Sequence, residues 1–377
     1  MTSPSSQHIL ITGGAGFIGS HLCDELLSRG HRVRVLDNLH PQVHGEGQQR
    51  PGYLSPDVEL QLGDVEDAEA VTRALKGIDS VVHFAARVGV GQSMYEVRNY
   101  MHANSTATGA FLEVLAKHPV RRLLVASSMS IYGEGMYRTP DGRLVGDAER
   151  KLEDLKARRW EPFDPVTGAA LAPVPTPETK TPVLKSVYAL SKYDQERLCL
   201  MLGEAHNRST VALRFFNIYG TRQALSNPYT GVLAIFASRL LNGNRPLVYE
   251  DGIQMRDFTN VKDVARACRM ALESETVESG VYNIGASQPL TVKEIAERLA
   301  TVMNLSHLTP ELTGQYRFGD IRHCYAATER AEKAFGFTAK IDFTQGLTEY
   351  VEWLAHQTAT DAVERAHKEL LSKGLTT

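Results

Sequence analysis

Residues 8–19 read HILITGGAGFIG. The apolar run His8–Thr12 is followed by Gly13, Gly14, Ala15, Gly16, Phe17, Ile18 and Gly19, and then by a helix-like stretch, Ser20–Arg29. Strand, tight glycine turn and helix in that order form the context of a phosphate-binding fingerprint. Gly13 permits the turn, Gly16 lets backbone N–H groups approach a pyrophosphate, and Gly19 lets the helix pack against the strand. The helix N-terminus turns its partial positive charge toward the phosphates. A second strand, Arg32–Leu36, ends at Asp37, where an acidic side chain accepts hydrogen bonds from an adenosine ribose. A carboxylate there repels a 2′-phosphate, so NAD(H) is expected rather than NADP(H). A glycine-rich turn beside an unrelated surface aspartate is the competing reading, and the unbroken succession of elements weighs against it.

The next strand ends add to the cofactor side. Val58–Leu62 runs into Gly63–Asp64, which places Asp64 near an adenine edge. Ser80–Phe84 runs into Ala85 and Ala86, small enough for a cofactor to lie against the strand terminus. In open α/β sheets, ligands bind outside the carboxyl ends of the strands, where all these residues fall.

The chemistry comes from two later segments. Arg122–Ala126 reads as another buried strand, ending at Ser127-Ser128-Met129-Ser130 and then Ile131-Tyr132-Gly133. Val187–Lys192 (VYALSK) opens an amphipathic helix, and Tyr188 and Lys192, four apart, share one face of it. A tyrosine ordinarily ionises near pH ~10. A neighbouring ammonium and a positive nicotinamide ring are both expected to stabilise its phenolate, making Tyr188 a general base. Ser128 is expected to hydrogen-bond the reacting oxygen, and Lys192 to hold the nicotinamide ribose as well. A capping serine with a solvated Tyr/Lys pair is the bland alternative, and YxxxK alone would favour it. After a complete dinucleotide fold it loses ground.

With these segments in hand, the chain resembles the extended short-chain dehydrogenase/reductases, the group containing nucleotide-sugar epimerases and dehydratases. The resemblance spans roughly residues 8–355. It rests on GGAGFIG (13–19), GD (63–64), HFAA (83–86), SSMSIYG (127–133), YALSK (188–192), LRFFNIYG (213–220), MRDFTNVKDVA (255–265), YNIG (282–285) and GDIRH (319–323). It implies that Ser128, Tyr188 and Lys192 are catalytic. It also implies that Gly13, Gly16, Phe17, Ile18, Gly19, Asp37, Asn38, Asp64, Val65, Phe84, Ala85, Ala86, Asn104 and Phe215 join Tyr188 and Lys192 around NAD. Ser128, Ser130, Tyr188, Asn217, Val232, Arg256 and Arg322 are the implied contacts of a nucleoside-diphosphate sugar. The two arginines would grip the diphosphate, for which a planar guanidinium fork is suited. A homodimer through the helix before Lys117 and the helix opening at Tyr188 is likewise implied.

Two departures narrow the expectation. Family dehydratases carry acidic residues after the catalytic hydroxyl, whereas this chain has Met129 and Ser130. A thioether transfers no protons, so dehydration is disfavoured and reversible oxidation at one carbinol, a 4-epimerisation, is favoured. The other departure is a long insertion at about 136–182. Its charged middle (Glu149–Arg159) suggests a short helix and its Pro-rich end an extended linker; a lid over the sugar, a dimer contact and a plain surface insertion are all open. GVGQSMYE (89–96), SSMSIYGEGMY and this insertion are most similar to the dTDP-L-rhamnose 4-epimerase branch. UDP-glucose, UDP-glucuronate and UDP-N-acetylhexosamine 4-epimerases stay open. So do a net-redox dehydrogenase, reductase or decarboxylase, and a catalytically silent NAD-binding module.

Composition sets the bounds. At 377 residues with 42% hydrophobic and 23% charged residues, the chain suits one large α/β domain and a smaller one. Residues 1–215 are expected to form the NAD-binding domain. Residues 216–377 are expected to form mainly a substrate lobe, with segments free to return to the sheet. A doubly wound parallel sheet follows. Helices are expected at Leu233–Leu241, Lys262–Glu273 and Val292–Met303, and short strands at Leu247–Tyr249 and Val281–Ile284. A formal net charge of −3 without a basic run speaks against nucleic acid. The opening MTSPSSQ lacks the marks of a signal peptide, and no transmembrane span or membrane association is expected. Four scattered cysteines read as free thiols of a reducing cytoplasm. The histidines show no metal-ligand spacing, and His83 is expected to pack at its strand end.

Overall fold

The computed structural model describes residues 6–376 apart from Gln48, Pro228, Thr230 and Phe318. Seven strands form its centre: β1 His8–Thr12, β2 Arg32–Asp37, β3 Glu59–Leu62, β4 Ser80–His83, β5 Arg122–Ser128, β6 Ser209–Phe215 and β7 Gly280–Ile284. All pair in parallel in the order β7-β6-β5-β4-β1-β2-β3. β1, β4 and β5 are buried on both faces, which is why they read as nearly unbroken apolar runs. The longer helices are α1 Phe17–Ser28, α2 Ala107–Leu115, α3 Val187–Ala205, α4 Val232–Leu241, α5 Val261–Glu273, α6 Val292–Val302, α7 Phe343–Leu354 and α8 Val363–Ser372. One apolar cluster lies under α1 and α5 and another under α2 and α3, so the sheet is covered on both sides.

Strand order reverses between β1 and β4, and the crevice for a ligand opens at that switch point. The glycine turn shapes its floor. Gly13 has φ +69°, and a Cβ on it would lie 2.8 Å from the Ala85 nitrogen. A Cβ on Gly19 would meet Gly14 Cα at 2.5 Å, so α1 can start this close to β1 only with glycine there.

The later half splits its strands. Val281–Ile284, free on sequence grounds to join either lobe or sheet, belongs to β7 on the sheet edge, from Gly280 opposite Val211 to Ile284 opposite Phe215. Leu247–Val248 instead pairs with Glu311–Leu312 in a separate ribbon. Asn217–Tyr219, Met255–Asn260, Pro289–Thr291 and His323–Cys324 make a second small sheet. α4, α6 and α7 pack together around Phe236, Ile295, Leu347 and Tyr350.

The insertion is folded, and its Pro-rich end, expected to be an extended linker, begins as a strand at Ala172–Val174. Met136–Arg138, Leu144–Val145 and Ala172–Val174 form a three-stranded antiparallel sheet over Tyr137, Val145, Ala148 and Leu171. Pro173 is accommodated because its strand is at the edge. The charged middle forms the expected short helix, Leu152–Lys156. No helix among the described residues is long and apolar enough to cross a membrane.

Candidate active site

A cavity of about 920 Å3 runs along the carboxyl ends of the central strands and under the smaller lobe. Gly13, Gly16, Phe17, Ile18, Gly19, Asp37, Asn38, Asp64, Val65, Phe84, Ala85, Ala86 and Phe215 all line it. α1 begins at Gly16 with no side chain capping it, so its first N–H groups are left for an anion. Asp37 is oriented by two backbone donors: Ala15 N reaches Oδ2 at 3.0 Å and Leu39 N reaches Oδ1 at 2.9 Å. Asn38 donates Nδ2 to Asp64 Oδ2 at 2.8 Å. An uncapped helix end, a cradle that any Cβ would fill and an acidic ribose acceptor fit the NAD expected from the sequence.

At the centre of the cavity β5 delivers Ser128 and α3 delivers Tyr188. Ser186 caps α3, its Oγ accepting from Ala189 N at 3.1 Å, and Ser93 Oγ accepts from Tyr188 N at 3.0 Å. Ser128 lies beside the Tyr188 side chain, where its hydroxyl acts to lower the phenol. Ser130 donates its hydroxyl to Ser128 Oγ at 2.9 Å and its N–H at 3.2 Å. Three hydroxyls therefore sit together, Ser130 bonded to Ser128 and Ser128 beside Tyr188. Lys192, one turn along α3, is 3% exposed and donates to Gln195 Oε1. Burial lowers its ammonium to about 8. Burial also raises the Tyr188 phenol, with the Ser128 hydroxyl acting in the opposite direction. In the protein alone desolvation of the phenol prevails, and the Lys192 ammonium points at Gln195.

A family model described as the NAD dependent epimerase/dehydratase family matches residues 9–150 and 165–285. The chain belongs to that family. It is 33% identical over 356 residues to a dTDP-L-rhamnose 4-epimerase of Burkholderia thailandensis, covering 93% of this chain and 96% of that protein. It is 30% identical over 354 residues to a UDP-N-acetyl-alpha-D-glucosaminuronate decarboxylase of Bacillus cytotoxicus, covering 92% and 97%. Among solved structures it resembles the UDP-N-acetylglucosamine 4-epimerase of Methanobrevibacter ruminantium in complex with UDP-N-acetylmuramic acid. The TM-score is 0.75 and the identity 28%, covering 94% of this chain and 99% of that one.

In this epimerase/dehydratase chain the far end of the cavity holds Ser130, Asn217, Val232 and Arg256. Asn217 Oδ1 is buried without a partner among the described residues, which leaves it for a ligand. Arg256 stands 3.5 Å from Asp320 and donates to the Arg322 carbonyl at 3.0 Å. Arg322 is not brought to the cavity. It is 1% exposed and its guanidinium is spent on Glu161 (2.9 Å), Glu250 (3.0 Å) and Asp251 (2.6 Å). Arg317 lines the cavity instead, 4.3 Å over the Tyr249 ring, with Nε unpartnered among the described residues. Both arginines flank the GD pair of the quoted motif, and only the fold distinguishes them.

Asn104 is a second correction. It is fully buried, accepts from Arg87 N at 2.7 Å and donates to Arg87 O and Ser191 Oγ, so it ties the segment after Ala86 to α3 rather than facing the cofactor space. Gln195 escaped the sequence reading altogether. It is fully buried, holds Lys192, and bonds His83 Nε2 at 3.0 Å and Thr108 at 2.9 Å. His83 also meets Thr12 Oγ1 at 2.8 Å, and burial, with the Lys192 charge adding to it, lowers it to about 3. The described residues hold no cluster of His, Cys, Asp or Glu suited to a metal ion. None of residues 131–184 lines the cavity, so the insertion is not a lid. It braces the Arg322 segment from outside through Glu161 and through Arg150, which bonds Glu134 at 3.0 Å and Glu250 at 2.6 Å.

Proposed function

We propose that this enzyme is a nucleotide-sugar 4-epimerase that interconverts dTDP-L-rhamnose and dTDP-6-deoxy-L-talose. The observation that carries the reading is the grouping of the Ser130, Ser128 and Tyr188 hydroxyls beside a buried Lys192, with no carboxylate among them. The nearest acidic residue along the chain, Glu134, is committed to Tyr137, Arg150 and the backbone of Arg322. That set of groups suits removal and return of one proton at one carbinol and lacks the second acid that loss of water requires.

NAD, when bound, supplies the hydride acceptor and donor and a positive charge that favours the Tyr188 phenolate. Ser128 holds the C4 oxygen, and Tyr188 takes its proton as the carbinol becomes a ketone. Ser130, donating to Ser128, fixes that hydroxyl so that its own proton points at the reacting oxygen or at Tyr188. Lys192 and Gln195 keep the base in a fixed electrostatic setting. Arg256, Arg317 and Asn217 grip the diphosphate while the 4-keto sugar turns to present its other face. Tyr188 then returns the proton, and the cofactor ends in its starting form.

The choice of a 6-deoxy sugar is supported by the wall next to Tyr188. Val88, Val90 and Met94 line the cavity, and Arg87 and Lys185, two cations that line it in addition to Lys192, are paired with Glu96 (2.7 Å) and Glu149. An apolar wall suits a C6 methyl better than the carboxylate of a uronate, which disfavours the decarboxylase reading. Residues 1–215 then serve the cofactor and most of 216–377 the sugar nucleotide. Homodimerisation through α2 and α3 is part of the reading, supported by Leu190 and Met201 left exposed on α3. Four buried free cysteines support a cytoplasmic setting.

The test is a panel of dTDP-, UDP- and GDP-sugars incubated with the purified protein without added cofactor and followed by NMR. A new 4-epimer from dTDP-L-rhamnose is expected. Turnover of UDP-sugars alone would replace the substrate, and release of carbon dioxide or a need for stoichiometric NAD would replace the reaction.

A further inference from the structure

We propose that α8 is a strap that holds the oxidised sugar nucleotide in the cavity between the two hydride transfers, an inference that rests on the epimerase reading. Val363, Ala366, His367, Leu370 and Leu375 line the cavity, so the carboxyl-terminal segment is one of its walls. The strap is anchored on the smaller lobe. Asp361 receives Asn244 Nδ2 at 2.8 Å, His367 Nδ1 meets the Tyr249 hydroxyl at 3.0 Å, and Thr376 donates to the Tyr316 carbonyl at 3.2 Å.

Its other edge reaches the catalytic side. Leu370 lies 3.5 Å from where a Cβ on Gly91 would stand. Tyr229 donates to Glu369 at 3.3 Å and shares a 2.6 Å hydroxyl contact with Tyr95, over whose ring Lys373 sits at 5.6 Å. Gly91 and Tyr95 flank Ser93, the residue that holds the Tyr188 backbone. α8 therefore crosses the cavity mouth from the lobe to the segment carrying the base.

The grip is slight. Of the ten residues of α8 only Ala366 and Leu370 are buried, and Glu369 and Lys373 are exposed. Elements with so few buried contacts open most readily, and moving covers commonly gate entry and release. Entry requires opening, whereas the ketone must not leave. Oxidation breaks the C4–H and O–H bonds, sending a hydride to the nicotinamide and a proton to Tyr188. A ketone that escapes at that moment strands the enzyme with reduced cofactor and a protonated tyrosine.

Two variants test the strap: Glu369→Ala with Lys373→Ala, which leaves every cavity-lining side chain in place, and Leu370→Ala. Stopped-flow release of dTDP is expected to quicken roughly tenfold, the equivalent of losing one modest contact set. During turnover of dTDP-L-rhamnose, absorbance at 340 nm should build up with free 4-keto sugar trapped by borohydride, neither of which wild type shows. Unchanged dTDP release with no 340 nm signal in either folded variant overturns the strap, as does a wild type that binds no dTDP. A wild type that binds dTDP but epimerises no sugar removes the epimerase reading, and the release rates still decide whether α8 closes on the nucleotide.

Discussion

Replacing Lys192 with methionine is expected to make the cofactor-stripped protein more stable while abolishing its turnover. The ammonium is buried at 3% exposure, and burial lowers it from 10.5 to about 8. At ~1.4 kcal/mol per unit, holding that charge in the fold costs about 3 kcal/mol. Methionine fills a similar volume with no charge to desolvate. Against this, Gln195 Oε1 loses its donor, worth about 1 kcal/mol, which leaves a net gain of about 2 kcal/mol. The pH dependence has a definite sign. Below about pH 8 both folded and unfolded wild type carry the proton, and the full cost is present. Between about 8 and 10.5 the unfolded chain holds a proton that the folded one has shed, so wild-type stability rises with pH across that window. The methionine variant has nothing to titrate there, so its advantage is greatest at neutrality and gone above 10.5. Urea unfolding of both proteins at pH 7 and pH 10 measures it. A variant less stable than wild type at pH 7, or an advantage that does not shrink by pH 10, refutes the reasoning.

Tyr188→Phe should lower turnover at least about a hundredfold with NAD still bound, as read by activity and by cofactor content of the purified protein. Arg317→Ala should raise KM for the sugar nucleotide about tenfold or more with normal stability. Arg322→Ala should instead destabilise by about 3–5 kcal/mol, because Glu161, Glu250 and Asp251 lose their shared cation, as denaturant unfolding would show. Gly13→Ala should abolish NAD binding measured by calorimetry, since both φ +69° and the 2.8 Å approach to Ala85 N exclude a side chain. Burial lowers His83 to about 3 and His21 to about 4, so both stay neutral in the fold while the unfolded chain protonates near 6.5. Stability is therefore expected to fall as pH drops below 6.5, and His83→Asn should flatten that slope in acid unfolding.

The cofactor half and the placing of Tyr188 and Lys192 in the cavity are legible because their signals are local. The glycine spacing fixes a turn, strand ends announce themselves by Asp37, Asp64 and Ala85, and Tyr188 and Lys192 share a helix face by spacing alone. What the sequence left open depends on partners far along the chain. The raised Tyr188 phenol follows from burial, and the direction of the Lys192 ammonium from Gln195, which in turn is fixed by His83 and Thr108. The helical periodicity of residues 363–372 marks an apolar face but not the cavity, begun at residue 13, that this face closes. Asn104 looked like a ligand contact and is a brace, because a buried amide satisfies two backbone groups of Arg87 as well as it could a cofactor.

Arg322 and Arg317 differ in what surrounds them: one is buried among carboxylates and the other lines the cavity. Glu250 adopts φ +55°, a left-handed conformation that costs a non-glycine residue on the order of 1–3 kcal/mol. Its carboxylate is held by Arg322 at 3.0 Å and by Arg150 at 2.6 Å, two buried cations that over-determine the conformation. The residue before it, Tyr249, faces the cavity, carries Arg317 on its ring and meets His367 of α8. One of the two clamping cations comes from the insertion, whose own residues never reach the cavity. A buried arginine saturated with carboxylates is not free for a ligand, yet it can fix the ring over which Arg317 lies. The insertion therefore braces this wall of the cavity through Glu250, and Arg322, which the family resemblance placed at a substrate, supplies rigidity there instead.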